Sequence, residues 1–408
     1  MTSLAIDHTN VGRRQYVLAV LALAIGGFTI GTTEFATMGV LPQVADGVHV
    51  SIPQAGHVIS AYAVGVVVGV PILSFFAVGL PRKGLLMGLM GAYALFNAVS
   101  AVAPSYGVLF VARFLDGMPH GAYFGIASIV AATLADPRHR GRAVASVMLG
   151  LSVANVVGVP AATWLGEHGG WRAPFFAVAG LALLTVAMVM LFVPRLPGDA
   201  DTGDRVAQGR EFFGNLQVWV TMAAAAIGFG GLFSTYTYIA KTVTDVAHLP
   251  EHTVPLFVAG YGVGMVFGTW SAGELARWSV VKSLFVGSGG IVVVMGLYWL
   301  LSPQGWWLML PVVGVMSVGA ILTINLQIRL MDVAGNAVTL GAAMTHAAFN
   351  LANALGAYLG GVAIDAGYGY RSTPVVGAIL AVLGVGVLAL SLTVGRESRP
   401  TFPYEEGR

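Results

Sequence analysis

The chain has 408 residues, of which 57% are hydrophobic and only 9% are charged. Soluble domains carry about a quarter charged residues, so this composition excludes a water-soluble globular protein and favours a bundle of membrane helices. The absence of cysteine excludes disulfides, thiolate metal sites and cysteine nucleophiles, and the net charge of +2 identifies no partner.

The apolar runs of the sequence have the length of membrane-spanning helices. A bilayer core about 30 Å thick needs roughly 20 apolar residues per helix. Prolines such as Pro42, Pro104 and Pro250 mark breaks between such runs. The first run is too long for a signal peptide, so we expect it to be retained. We predict twelve transmembrane helices, at residues 16–38, 53–78, 84–103, 107–134, 143–165, 172–194, 216–240, 254–276, 280–301, 306–328, 338–364 and 373–395.

Lysine and arginine residues indicate the orientation of these helices. With the N-terminus in the cytoplasm, the cytoplasmic segments hold 16 of them and the outer segments hold three, Arg172, Lys241 and Arg371. Positive residues concentrate on the cytoplasmic side of membrane proteins, so both termini are predicted to be cytoplasmic. The chain is therefore predicted to be a multi-pass protein of the cell inner (plasma) membrane.

A long polar connection, residues 195–215, divides the chain into an N-terminal half (residues 1–194) and a C-terminal half (residues 216–408). A short internal repeat supports this division, since residues 77–82 (AVGLPR) recur in weaker form as residues 272–277 (AGELAR). Two similar halves around a site at the membrane midplane are typical of secondary transporters. We therefore predict an all-α membrane protein of two pseudo-symmetric six-helix bundles joined by a cytoplasmic linker.

Three charged side chains are firmly intramembrane: Glu34, Arg113 and Asp116. A charge near the bilayer centre costs at least ~2.5–3.5 kcal/mol, so each is a functional candidate. From the helical rise, Glu34 lies ~6 Å and Arg113 ~9 Å from the outer ends of their spans, depths compatible with an ion pair. Asp116 and His120 follow Arg113 at spacings that place all three on one helix face.

Two interpretations of these charges are open. In one, Glu34, Arg113 and Asp116 form a static network that holds two helices together. In the other, which we favour, Glu34 and Asp116 take up and release protons, because loss of water favours the protonated form of a carboxylate and a nearby arginine favours the charged form. For His57, His120 and His346 we favour hydrogen-bonded interior positions.

Several further side chains are candidates for lining a substrate cavity. Aromatic rings in such helices serve packing more often than ligand contact, and buried amides serve either interhelical hydrogen bonds or a substrate. The candidates in the predicted cavity helices are His120, Tyr123, Phe124, Phe233, Tyr236, Tyr238, His346, Phe349, Asn350 and Asn353.

Motifs spread along the chain resemble a known family. Residues 112–125 (ARFLDGMPHGAYFG) resemble the span-4 signature of the major facilitator superfamily, and more narrowly of its drug:proton antiporter branch and arabinose-efflux-permease-like members. Residues 33–35 (TEF) resemble the acidic motif of that branch. Residues 150–160, followed by Trp171-Arg172, are similar to its span-5 antiporter motif, and residues 349–361 closely resemble its span-11 motif.

This resemblance implies the major facilitator fold and proton-coupled efflux by alternating access, with the substrate bound between the halves. It implies that Arg113 is linked to proton transfer and that Glu34 is a proton or cation site. It also implies that Gly150, Gly158 and Pro160 belong to a bend that disfavours leakage. Physically, proline removes one helix hydrogen bond and allows span 5 to bend.

The sequence departs from the family pattern in the loop after span 2. That loop usually carries an aspartate within a Gly-x-Leu-Ala-Asp-Arg motif, whereas residues 79–84 read GLPRKG. The corresponding copy, residues 273–277, has Glu274 but also lacks the aspartate. The charge latch attributed to that motif is therefore not expected in its usual form.

We therefore predict a secondary active transporter that exports drug-like or amphipathic molecules in exchange for protons. The alternative is a sugar or nucleoside exporter of the same family. A membrane-embedded enzyme is a third hypothesis, but the sequence contains no His-Glu-x-x-His, Gly-x-Ser-x-Gly or Walker A motif. We expect no catalytic residue, metal or cofactor. The expected partners are a small-molecule substrate, protons and the lipid bilayer, without nucleic acid, and the chain is expected to be a monomer.

Overall fold

The structure, a computed structural model, describes residues 12–76, 80–136, 140–196 and 203–394. Both predicted cytoplasmic termini therefore lie outside the described residues. So do residues 77–79, the first three residues of the first copy of the predicted repeat. Everything that follows concerns the described part of the chain.

The N-terminal half is built from α-helices joined by short turns. Its helices are α1 (Arg13–Gly39), α2 (Leu41–Gly47), α3 (Ile52–Phe76), α4 (Arg82–Ala101), α5 (Tyr106–Leu134), α6 (Arg140–Val153), α7 (Val159–Gly169) and α8 (Ala173–Phe192). A π-helical turn, Ala154–Gly158, joins α6 to α7, so the predicted fifth span is one long helix with a local irregularity.

The C-terminal half follows a short helix, α9 (Gly203–Gly214), within the predicted linker. Its helices are α10 (Leu216–Tyr236), α11 (Ile239–Lys241), α12 (Val254–Trp278), α13 (Val280–Leu301), α14 (Met309–Val333), α15 (Val338–Ala363) and α16 (Thr373–Val394). Asn215 caps α10, since its side-chain oxygen accepts a hydrogen bond from the Gln217 N–H at 2.9 Å. The predicted span boundaries agree with these helices to within a few residues.

Eleven helices in the described ranges are long and apolar enough to cross a membrane. The 29-residue helix α5 is not among the eleven, because Arg113, Asp116 and His120 lower its hydropathy. Membrane-buried charge is a sign of function, so the long helix that is absent from these eleven is also the one of greatest chemical interest. The count of twelve spans and the cytoplasmic termini stay predictions.

Close helix crossings at glycine recur in the two halves. A Cβ at Gly65 on α3 would collide with the backbone carbonyl of Phe114 on α5, and a Cβ at Gly264 on α12 would collide with that of Val313 on α14. Small residues allow backbones to approach within a membrane bundle, where packing replaces the hydrophobic effect as the main attraction between helices. The same device therefore fixes α3 against α5 and α12 against α14.

The two halves contact each other at several depths. On the predicted outer side, Gln43 Nε2 donates a hydrogen bond to Glu251 Oε1 at 2.6 Å. Deeper in the bundle, the ring of Phe35 on α1 stacks on Tyr236 of α10, with centroids 5.4 Å apart. Nearer the predicted cytoplasmic side, Phe124 on α5 stacks on His346 of α15 at 5.2 Å. Residues at these contacts form the junction between the halves.

Candidate transport site

A buried charge pair lies on α5, close to the junction. Arg113 Nη1 donates a hydrogen bond to Asp116 Oδ2 at 2.6 Å, and both side chains are fully buried. The second carboxylate oxygen, Asp116 Oδ1, accepts a hydrogen bond from Asn97 Nδ2 of α4 at 2.7 Å. Asn97 Oδ1 in turn accepts a hydrogen bond from the Thr33 hydroxyl of α1 at 3.2 Å. Both carboxylate oxygens thus have donors, as a buried charge requires.

The Arg113 guanidinium retains unused hydrogen-bonding capacity. Its Cζ lies 4.3 Å from the centroid of the Tyr62 ring and 5.6 Å from that of Phe175, so two aromatic faces contribute cation–π attraction. Its Nε and Nη2 atoms are buried without a hydrogen-bond partner. Buried donors normally have partners, so this cation has room for another acceptor.

Glu34 lies next to this pair and reaches across the junction. It is 6% exposed on α1, lies within hydrogen-bonding range of Asn350 of α15 and is within electrostatic range of Arg113. Among the described residues Arg113 forms its ion pair with Asp116, and none joins it to Glu34. The depths predicted from the helical rise therefore place Glu34 near Arg113, while the arginine pairs within its own helix.

A chain of hydroxyl groups continues from this region to His120. The Tyr93 hydroxyl donates to the carbonyl of Ile30 at 3.3 Å and lies 3.0 Å from the hydroxyl of Tyr62. Tyr62 Oη lies 2.9 Å from Nδ1 of His120. The His120 ring is 5.9 Å from that of His346 on α15, so this chain runs from α4 to the junction.

The remaining aromatic candidates divide into two groups. Phe233 and Tyr236 of α10 both stack on Phe35, at centroid distances of 6.3 and 5.4 Å, and therefore line the junction. The Tyr123 hydroxyl instead donates to the Leu23 carbonyl within the N-terminal half at 2.9 Å. The Tyr238 hydroxyl donates to the Ala357 carbonyl of α15 at 2.8 Å.

The candidates on α15 include amides with free acceptors. Asn350 Nδ2 donates to the carbonyl of His346 one turn earlier at 3.1 Å, while its Oδ1 is buried without a hydrogen-bond partner. Asn353 is fully buried, and neither its Nδ2 nor its Oδ1 has a hydrogen-bond partner. Phe349 packs against Phe229, with ring centroids 4.8 Å apart. His57 contacts the Tyr358 ring at 5.5 Å, away from the charge pair.

The predicted bend coincides with the π-helical turn Ala154–Gly158. Pro160 follows this turn at the start of α7 and has no N–H to donate, so the regular hydrogen-bond ladder is interrupted there. Gly158 lies against Phe28 and Thr32 of α1, and Gly150 lies against the Ala24 carbonyl. The glycines thus allow the irregular helix to pack closely on α1.

The sequence reasoning missed Tyr62, Tyr93, Asn97 and Phe35 as members of the site. Asn97 carried a usable signal, since an amide in an otherwise apolar span needs a partner. The tyrosines carried none, because an isolated tyrosine in a membrane helix is usually a packing residue. Their contacts depend on how α3 and α4 cross α5, which spacing along one helix does not reveal.

A bundle of membrane helices with ionisable side chains buried at the junction of two halves is the architecture of a secondary transporter. Comparison with known proteins identifies which kind. The Major Facilitator Superfamily profile matches residues 23–345, and the chain belongs to this family of multi-pass membrane transporters. The predicted family resemblance is therefore confirmed, as is the location in the cell membrane.

Relatives and structures agree with this assignment. The inner membrane transport protein YdhP of Escherichia coli (strain K12) is 40% identical over 384 residues, which cover 91% of this chain and 95% of that protein. A chloramphenicol resistance protein of Streptomyces lividans is 31% identical over 261 residues, covering 64% of this chain and 67% of that protein. The crystal structure of a bacterial homologue of the human lysosomal transporter Spinster, inward-facing and unoccupied, superimposes with a TM-score of 0.72 at 14% identity. The superposition covers 96% of this chain and 99% of the Spinster homologue.

Proposed function

We propose that this protein exports small amphipathic, drug-like molecules in exchange for protons, by alternating access between two six-helix bundles with cytoplasmic termini. The observation that carries the proposal is Glu34, a buried carboxyl group that faces Asn350 of the opposite half beside the Arg113–Asp116 pair. A carboxylate at such a junction can change its charge at the place where the halves must separate.

The spare donors of Arg113 suggest how the charge change acts. A deprotonated Glu34 can accept hydrogen bonds from the unpartnered Nε and Nη2 atoms of Arg113, whereas a protonated Glu34 is itself a donor and can bond to the free Oδ1 of Asn350 in the C-terminal half. Proton binding would thereby exchange a contact within the N-terminal half for a contact between the halves. A ligand shifts a conformational equilibrium only through such a difference in contacts between states.

The aromatic side chains at the junction support an amphipathic substrate. Phe35, Phe233 and Tyr236 present stacked rings there, and the related protein of Streptomyces lividans is named for resistance to chloramphenicol, an aromatic amphipathic compound. Aromatic faces of this kind bind the apolar part of such a compound, while a few polar groups fix its orientation.

Transport into liposomes tests the proposal. Reconstituted protein in vesicles with an acidic interior is expected to accumulate labelled chloramphenicol as protons leave. Glu34→Gln is expected to reduce the gradient-driven accumulation at least tenfold. The same variant should still exchange labelled for unlabelled compound. Glu211→Gln, on the exposed face of α9, is the matched control and should transport normally.

Two results would contradict the proposal. Gradient-driven accumulation by Glu34→Gln at the wild-type rate would remove Glu34 from proton coupling. Accumulation of labelled arabinose or uridine, with none of chloramphenicol, would replace the drug-like substrate by a sugar or nucleoside.

A further inference from the structure

A histidine at the junction of the halves has the contacts of a second proton site. His120 is 1% exposed, and its Nδ1 lies 2.9 Å from the Tyr62 hydroxyl. On its other side the ring approaches Phe124 at 5.4 Å and His346 of the C-terminal half at 5.9 Å. One edge of the imidazole is therefore held by a hydroxyl, while the other faces the opposite half.

The hydroxyl chain attached to His120 can satisfy the charged form of the ring. A protonated imidazole has only donors, so Nδ1–H must donate to Tyr62. Tyr62 can then donate to Tyr93, 3.0 Å away, and Tyr93 donates to the Ile30 carbonyl, which can only accept. Every hydroxyl proton in this order has an acceptor. A neutral ring can instead accept from Tyr62 at Nδ1, so Tyr62 can reverse its direction when the proton leaves.

A positive charge on His120 would weaken the contact between the two halves. An imidazolium between Phe124 and His346 is a charge at a dry contact between the halves, and burying a charge without water is costly. Opening the predicted cytoplasmic side would readmit water to the ring. If His346 also took up a proton, repulsion between the two rings would act in the same direction.

The surroundings of His120 include groups of both signs. Asp116, one turn earlier on α5, and Glu34 on α1 favour a positive charge, whereas Arg113 opposes it. The ionisable groups on the elements packed around the ring include Glu34, Tyr62, Tyr93, Arg113, Asp116, Tyr123 and His346.

We propose that His120 binds a second proton with its Nδ1–H held by the Tyr62–Tyr93 hydroxyl chain, and that this proton separates His120 from His346 and opens the predicted cytoplasmic side. The proposal rests on the alternating access described above, and it adds a proton site to the one at Glu34.

Nitrogen-15 NMR of histidine-labelled full-length protein tests proton binding directly. The signal that disappears in His120→Gln is assigned to His120 and is expected to change from neutral imidazole to imidazolium between pH 8 and pH 5. Tyr62→Phe should lower the midpoint by about one pH unit, because a hydrogen bond to a charged group is stronger than one to a neutral group. Tyr123→Phe removes a buried hydroxyl from α5 outside the chain and should leave the midpoint unchanged.

Distance measurements test the mechanical consequence. The natural chain lacks cysteine, so spin labels can be placed uniquely, on cysteines replacing the exposed Leu80 and Trp278 at the predicted cytoplasmic ends of the two halves. Acidification from pH 8 to pH 5 is expected to lengthen this distance in the otherwise wild-type protein and not in His120→Gln. His346→Gln should reduce the change.

The outcomes separate this proposal from the proposed function. A His120 signal that stays neutral at pH 5, an unchanged midpoint in Tyr62→Phe, or an acid-induced distance change that persists in His120→Gln would each overturn it. Glu34→Gln should lose gradient-driven transport yet keep the His120 titration. Retained transport in Glu34→Gln would contradict the role of Glu34 alone and leave the histidine result standing.

Discussion

The two halves of the molecule share a packing plan but differ in their buried chemistry. Both cross a pair of helices at glycine, at Gly65 in the first half and Gly264 in the second. Among the described residues, however, the buried aspartate, glutamate and arginine side chains all belong to the N-terminal half: Glu34, Arg113 and Asp116. Buried polar side chains of the C-terminal half are neutral serine, threonine, asparagine and glutamine.

This difference gives the two halves different roles in the proposed mechanism. The C-terminal half meets the charged region through Asn350 and His346, both on α15. A neutral partner can exchange hydrogen bonds without paying the desolvation cost of a second charge. In the proposed mechanism, the carboxyl groups that exchange protons belong to the N-terminal half, and Asn350 and His346 of the C-terminal half respond to their change of charge.

The largest loss of unfolding free energy should come from breaking the buried charge pair. Arg113→Met leaves the Asp116 carboxylate with Asn97 alone, and loss of one partner of a buried pair costs about 3–5 kcal/mol. The double variant Arg113→Met/Asp116→Leu should recover most of that loss, because no buried charge remains. Unfolding free energy in mixed detergent–lipid micelles measures both.

The control for this prediction is a neutral pair in the other half. Gln217 and Ser391 join α10 to α16 by two hydrogen bonds, each of 3.0 Å. Ser391→Ala removes one of these and should cost only about 1 kcal/mol. Equal losses for Arg113→Met and Ser391→Ala would show that charge does not distinguish the halves.

The shared packing plan predicts a smaller, matched pair of effects. Gly65→Ala and Gly264→Ala each place a methyl group against a carbonyl of the crossing helix, and overpacking of this kind costs about 1–3 kcal/mol. We expect similar losses of unfolding free energy for the two variants. Only Gly65→Ala should also alter proton-coupled transport, since Phe114, whose carbonyl must move, adjoins Arg113.

Gly180 provides the control for these substitutions. It lies on α8 with open space around its Cα, so Gly180→Ala should leave stability unchanged or raise it by up to about 1 kcal/mol. Losses at Gly65 and Gly264 that differ by several-fold would contradict the common packing plan.

Much of this comparison could be predicted from the sequence, and the limits have physical causes. Apolar runs of fixed length predict the spans, and a charge within such a run is costly enough to identify Glu34, Arg113 and Asp116 without a structure. The all-helical membrane fold was predicted for the same reason, whereas the family was predicted from the resemblance of several motifs and is confirmed.

Contacts between helices could not be predicted in this way. Asp116 shares a helix face with Arg113, so their pairing follows from spacing, but the Asn97 and Tyr62 contacts depend on the crossing of three helices. Likewise, Asn350 was a candidate amide whose partner, Glu34, belongs to the other half. The π-helical turn at Ala154–Gly158 was predicted only as a bend. A proline determines where the helical hydrogen-bond pattern is interrupted, but not which pattern replaces it.

The smallest predicted effect concerns the exposed contact between the halves. Here the charge lies in the C-terminal half: Gln43 donates to the Glu251 carboxylate at 2.6 Å on the predicted outer side. Exposed polar pairs contribute about 0.2–1 kcal/mol, so Gln43→Leu should raise the outward-open population by no more than about fivefold. Gln43→Glu should raise it further through repulsion, whereas Gln43→Lys should lower it.

Spin labels on cysteines replacing the exposed Val102 and Trp307, at the predicted outer ends of the two halves, measure this population. Because exposed charges are screened within about 10 Å at 0.1 M salt, the difference between Gln43→Glu and Gln43→Lys should shrink in 1 M salt. The outward-open population should be largest in Gln43→Glu, followed by Gln43→Leu, the wild type and Gln43→Lys. This order is expected only if the contact closes the outer side. Identical distance distributions in all four proteins would leave the buried contacts, and not Gln43, as the groups that hold the halves together.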